Sequence, residues 1–126
     1  PCSPTIASMW NRILRTGEFT VSIPIDDSAK KILGFCGSKS GRDIDKAKEI
    51  GLTYEEPEMT SVPGVKELPL TLECKVVYKQ AQDMNAMTEE NKVKFYPQDV
   101  DSLFTGSNKD THVAYYGEIV NAYVIE

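Results

Sequence analysis

The chain has 126 residues, 40% of them hydrophobic and 26% charged, which suits one compact domain with a proper core and excludes a disordered or fibrous protein. A formal net charge of -5 and a pI near 4.9 set it against a phosphate backbone, so nucleic acid is not expected as a partner. No apolar run approaches the ~20 residues that span a bilayer, and no basic-then-apolar leader opens the sequence, so no membrane partner is expected and the expected location is the cytoplasm.

In chain order, Ile6, Met9, Trp10, Ile13 and Leu14 recur on one helical face, which predicts a helix over residues 5–15 closed by Gly17 in a left-handed cap. Phe19, Val21 and Ile23 alternate with Glu18, Thr20 and Ser22 and predict a strand from Glu18 to Ile25, with Pro24 near its end. Asp26 or Asp27 suits the cap of a short helix through Ala29, Ile32 and Leu33. A loop at 36–42 follows, then a helix from Asp43 to Ile50 that Gly51 ends. Residues 52–68 have no sustained period and read mostly as loop, with a short strand near Met59.

Leu70 to Lys79 is the clearest strand: Leu70, Leu72, Cys74, Val76 and Tyr78 share one face, with Thr71, Glu73, Lys75 and Lys79 on the polar one. A helix is expected over Thr88–Phe95 and surface loop over 97–111. His112 to Ile125 reads as a long strand apolar on both faces, which calls for burial on both sides, by the barrel interior and by a helix or second subunit outside. Strands with interspersed short helices and no internal repeat predict a mainly β chain, a small barrel with helical decoration, forming one domain over 1–126.

The cysteines Cys2, Cys36 and Cys74 are odd in number and show no CxxC spacing, so free thiols are expected, not a disulfide framework or zinc ribbon. Cys36 and Cys74 read as packing residues, and Trp10 as core. One histidine, His112, excludes any metal site needing two, and no metal is expected. A Ser–His–Asp set built from His112 with Asp110 or Ser102 has only spacing in its favour. The acidic residues Glu55, Glu56, Glu58, Glu89 and Glu90 read as solvated faces.

The chemistry concentrates in Gly37-Ser38-Lys39-Ser40-Gly41-Arg42-Asp43. Glycines permit positive φ, so successive N–H groups can converge on an anion; Ser38 and Ser40 add hydroxyls, and Lys39, Arg42 and Lys46 add charge beside a helix N-terminus. The same composition suits a solvated turn between helices, and the loop alone does not choose between the two. It matches neither a P-loop nor a dinucleotide fingerprint.

The run from Leu33 through Lys46 resembles the signature segment of the flavin-reductase-like, FMN-binding split-barrel family. Thr16–Pro24 resembles that family's strand after its first helix, Leu70–Lys75 its LxLEC strand, and His112–Val120 its HxxxxGEIV strand. The resemblance implies a split β-barrel and FMN at the barrel edge, held by Cys36, Gly37, Ser38, Lys39, Ser40, Gly41 and Arg42, with Lys46 near the flavin and His112 near the ring or the nicotinamide. It also implies a homodimer and an NAD(P)H-dependent flavin reductase, with a flavin-binding electron carrier or a barrel that has lost its flavin as the alternatives. Two departures stand out. Family members begin with strands ahead of the first helix, which this chain is expected to lack, and they carry an Arg-Pro-x-x-Tyr-Thr-like stretch where this chain has Pro1–Met9, with Thr5 or Ser8 as the substitute hydroxyl.

Overall fold

The computed structural model describes residues 13–39, 44–100 and 111–126. Two compact units emerge: residues 77–116 form one, and in the other the chain up to Val76 joins Gly117–Glu126. The strands are β1 (Glu18–Ile23), β2 (Tyr54–Glu55), β3 (Gly64–Val65), β4 (Leu70–Ala81) and β5 (Val113–Val124), and the helices are α1 (Lys30–Ser38), α2 (Lys46–Glu49) and α3 (Glu89–Phe95). The main sheet has the order β1-β4-β5, and β2 pairs with β3 in a separate ribbon.

In the larger unit, residues 13–16 are helical, and the remainder of the expected first helix, Trp10 included, lies outside the described residues. The Gly17 amide donates to the Ile13 carbonyl at 2.8 Å with φ of 65°, the left-handed cap that the sequence predicts. β1 then runs antiparallel to β4, from Glu18 opposite Lys75 to Ile23 opposite Leu70. Asp26 accepts the Ser28 N–H at 2.8 Å and caps a single 3-10 turn, Asp27–Ala29, that leads into α1. Asp45 accepts the Lys48 N–H at 3.2 Å and caps α2, so that helix starts later than the expected Asp43; Gly51, φ 68°, ends it.

Residues 52–68 are more ordered than their composition suggests. Tyr54 pairs with Val65 and Glu55 with Gly64, and Met59, where a strand was expected, lies in the connection between them. The connection is held by carboxylates. Glu73 accepts from the Glu58 amide at 2.8 Å, the Met59 amide at 2.9 Å, the Thr60 amide and hydroxyl at 3.5 and 3.2 Å, and the Asn121 side chain at 3.0 Å. Glu18 accepts from the Ser61 amide at 2.8 Å and its hydroxyl at 2.6 Å. Thr20 donates to the Val62 carbonyl at 2.8 Å, and the Val65 amide to the Ser22 hydroxyl at 3.2 Å, so the segment follows β1.

This covering buries part of the face of β4 expected to be polar, while Lys75 and Lys79 on it stay exposed. Thr71 and Glu73 are both 0% exposed, while Leu70, Leu72 and Val76 are only half-buried and Cys74 is buried. Gly64 sits against Thr71: a Cβ there would lie 3.1 Å from the threonine side chain. These polar groups can be buried because Glu73 receives backbone N–H groups that would otherwise need water and the Thr71 hydroxyl donates to the Pro69 carbonyl at 3.4 Å.

β5 passes the other side of β4. A Cβ on Gly117 would meet the Phe19 ring at 2.5 Å and the Cys74 Cβ at 3.1 Å, so the aromatic ring occupies the space that any side chain would take. The strand is not buried on both faces as expected: Tyr116, Ile119 and Val124 are exposed in the single chain.

In the smaller unit, the outer parts of β4 and β5 flank a 3-10 turn, Met84–Ala86, and α3, which starts one residue later than the expected Thr88, its N-cap, and ends at Phe95 as expected. Tyr78 and Tyr116 contact each other at 5.4 Å between ring centroids. Among the described residues, no helix is long and apolar enough to cross a membrane.

Burial pushes the Glu73 carboxyl up, but the Asn121 amide and the N–H groups of 58–60 outweigh it and hold its pKa below the ordinary 4.5. A depressed native pKa makes a contribution that is whole above the unfolded-state value and vanishes as pH falls through the native one. Glu73→Gln therefore lowers the free energy of unfolding by about 3 kcal/mol at neutral pH, measured by urea denaturation, and the gap from the parent closes in acid. Gly117→Ala costs about 1–3 kcal/mol through overpacking, and Phe19→Leu in the same chain recovers part of that loss.

Candidate functional site

The site expected from the sequence has its pieces in both units. Cys36, Gly37, Ser38, Lys39 and Lys46 belong to the larger one and His112 to the smaller one. Ser8, Ser40, Gly41 and Arg42 lie outside the described residues.

The structure corrects the loop at its start. Cys36, Gly37 and Ser38 do not belong to a loop; they form the last turn of α1. Apolar Ile32, Leu33, Phe35 and Cys36 continue the helix past Gly34 and Gly37, and neither glycine has a positive φ. Gly37 therefore contributes nothing to a nest of converging amides. The Ser38 hydroxyl donates to the Phe35 carbonyl at 3.3 Å and the Lys39 amide donates to the same oxygen at 3.1 Å, so both donors are engaged in closing the helix. The chain turns extended at Lys39, φ -106° and ψ 145°, and its ammonium is exposed.

Lys46, expected near the flavin, makes a contact within the protein. Its ammonium, half-buried, donates to the Cys36 carbonyl, one of the orphan acceptors at the end of α1. That bond joins the last turn of α1 to the start of α2. Lys39 is exposed, and the half-buried Lys46 ammonium keeps its charge and two further N–H donors beyond the bond to Cys36.

His112 lies just before β5, exposed, at the end of the hairpin opposite Gln82. The Gln82 amide donates to the His112 carbonyl at 2.9 Å, and the His112 amide to the Gln82 side-chain oxygen at 3.1 Å. The phenol of Tyr96, the residue that ends α3, is 2.9 Å from His112 Nδ1, with the two rings edge to face at 5.8 Å. Gln82 Nε2 donates to the same phenol at 3.2 Å. Beside the imidazole is a cleft of about 370 Å³, lined by Gln80, Gln82, Asp83 and His112 and by small alanines. No group of acidic, histidine and cysteine side chains suited to a metal occurs among the described residues.

Sequence reasoning missed Gln82, Tyr96 and Glu73. The first two carry no local signal, being single polar residues at element ends. Glu73 carries none either: it sits with Thr71, Lys75 and Lys79 on the polar face of its strand, and alternation does not say whether that face is solvated or covered.

Among solved structures, nitrilotriacetate monooxygenase component B from Bacillus cereus superposes with a TM-score of 0.62 at 23% identity, over 94% of this chain and 48% of that one. The split barrel domain of a Shewanella frigidimarina protein matches with a TM-score of 0.62 at 21% identity, over 96% and 48%. Flavoredoxin from Methanosarcina acetivorans matches with a TM-score of 0.54 at 25% identity, over 89% and 44%. An uncharacterized protein of Archaeoglobus fulgidus is 35% identical over 65 residues, 52% of this chain and 36% of that protein. The chain thus spans about half the length, or less, of these relatives. The chain shares with these solved structures the mainly β split-barrel fold with short helices that the sequence predicts. Residues 5–126 match the flavin reductase like domain, and the chain belongs to that family.

Proposed function

We propose that the chain binds FMN through the span between α1 and α2 and moves reducing equivalents from NAD(P)H to that flavin or to free flavin, acting as a homodimer. The observation behind this reading is the family match over 5–126, which includes the whole of the Leu33–Lys46 segment. The names of the neighbours, flavoredoxins and a monooxygenase component, are consistent with flavin work.

The geometry narrows how such a ligand is held. The C-terminal end of α1 presents carbonyls, and its partial negative charge disfavours a phosphate. In this reading Lys39 and Arg42 carry the phosphate, with Ser40 and Gly41 between them in sequence. The Ser38 hydroxyl and one N–H of the Lys46 ammonium are engaged with carbonyls of α1, so the reading leans most on Lys39 and Arg42. Bound flavin supplies the redox chemistry, and the protein's part is to hold the phosphate, orient the ring and leave one face accessible to a hydride donor.

Titrating the purified chain with FMN and following flavin fluorescence gives a saturable complex. Lys39→Ala with Arg42→Ala weakens it at least several-fold, each charged hydrogen bond being worth roughly 1.5–3 kcal/mol, while Ser38→Ala leaves the affinity near the parent's. An equal loss in Ser38→Ala would return the helix end to the site. NADH or NADPH bleaches the flavin absorbance and sustains turnover in air; bleaching only by a partner protein would make the chain an electron carrier instead.

A further inference from the structure

The hydrogen bonds around His112 leave little freedom to its imidazole. The backbone amide of His112 donates to one end of the Gln82 side chain at 3.1 Å, and an amide N–H has only an oxygen to donate to. That identifies this end as Oε1 and makes the other end Nε2, a pure donor, which faces the Tyr96 phenol at 3.2 Å. The phenol oxygen thus accepts from Gln82, and its own proton needs an acceptor. Among the described residues the acceptor in reach is Nδ1 of His112, 2.9 Å away. An Nδ1 that accepts is unprotonated, so the neutral ring carries its proton on Nε2.

From this relay we propose that Gln82 and Tyr96 are positioning residues that lock His112 in the Nε2–H tautomer, so that the ring offers one directed donor to a carbonyl oxygen of a ligand in the adjoining cleft. Every part of the relay is within residues 77–116, in the smaller unit. The direction is set at the backbone: the paired strand end holds Gln82 in register with His112, and the order of donors and acceptors follows from that one amide. The edge-to-face contact of Tyr96 restrains the ring plane as well. The nature of the ligand as a flavin or a nicotinamide rests on the function proposed above; the lock itself does not.

The chain has a single histidine, so its ring nitrogens are the only imidazole signals in a long-range 1H–15N correlation spectrum of the labelled protein. At mildly alkaline pH and without ligand, the expected spectrum shows an unprotonated Nδ1 and a protonated Nε2. Tyr96→Phe is expected to give averaged shifts of two tautomers. Gln82→Glu is the sharper variant: a carboxylate only accepts, so it draws the phenol proton, the phenol oxygen turns to accept from the ring, and the tautomer reverses to Nδ1–H. An averaged or Nδ1-protonated spectrum in the parent, or a Gln82→Glu spectrum identical to the parent's, overturns the lock. FMN and NADH, added separately, are expected to move the Nε2 resonance with at least one of them in the parent and to move it less in Gln82→Glu. An unmoved Nε2 while fluorescence shows FMN bound overturns the donor role alone. Failure of FMN to bind at all overturns the function proposed above and the donor role with it, with the lock still judged by the ligand-free spectra.

Discussion

A carboxylate with no exposed surface lies under the middle of the larger unit, and the packing around it follows from how that charge is satisfied. Glu73 faces away from the apolar side of β4, where water would ordinarily solvate it. Instead, successive amides at Glu58, Met59 and Thr60 converge on it, with the Asn121 side chain closing the set. An ion so buried is tolerable only when most of its lone pairs are taken by donors. The interaction is therefore mutual: the acid needs the segment's amides, and the segment, with no helix or long strand of its own, needs the acid to satisfy them. Asn121 extends the arrangement to β5, since its amide also donates to Glu58 at 2.7 Å.

The same logic of fixed donors recurs at smaller scale. Glu18 holds Ser61 at the edge of the sheet, where the hydroxyl and then the amide of Ser61 keep its carboxyl below the ordinary range. Lys46 caps a helix end through a backbone carbonyl, and Asp26 and Asp45 cap helix starts. Gln82 orders a phenol and an imidazole. In each case a side chain at the end of an element substitutes for the backbone partner that regular structure no longer supplies.

For the candidate site this has a specific consequence. Charge content suggested a broad basic loop, yet Lys46 is bonded to Cys36 and the Ser38 hydroxyl to Phe35. The Ser38 hydroxyl and one donor of Lys46 thus serve the end of α1, which the composition of the segment does not show. The histidine, by contrast, has more partners than its isolated position in the sequence suggests, because Gln82 just after β4 and Tyr96 just after α3 meet it ahead of β5.

Local periodicity was enough to read β1, β4, β5 and α3, and the capping glycines at 17 and 51, since those depend on alternation and on conformations that few residues adopt. The motifs around Leu33–Lys46 and His112–Val120 were enough to read the family. What they did not reveal was which face of β4 is covered, that α1 runs on through Gly37 and Ser38, and which neighbours hold His112. Those were decided by partners distant in sequence: Asn121 reaches Glu73 across 48 positions and Ser61 reaches Glu18 across 43. A strand's pattern records how polar each face is, but a polar face can be solvated or roofed by donors with the same residues, and only the folded chain brings the donors.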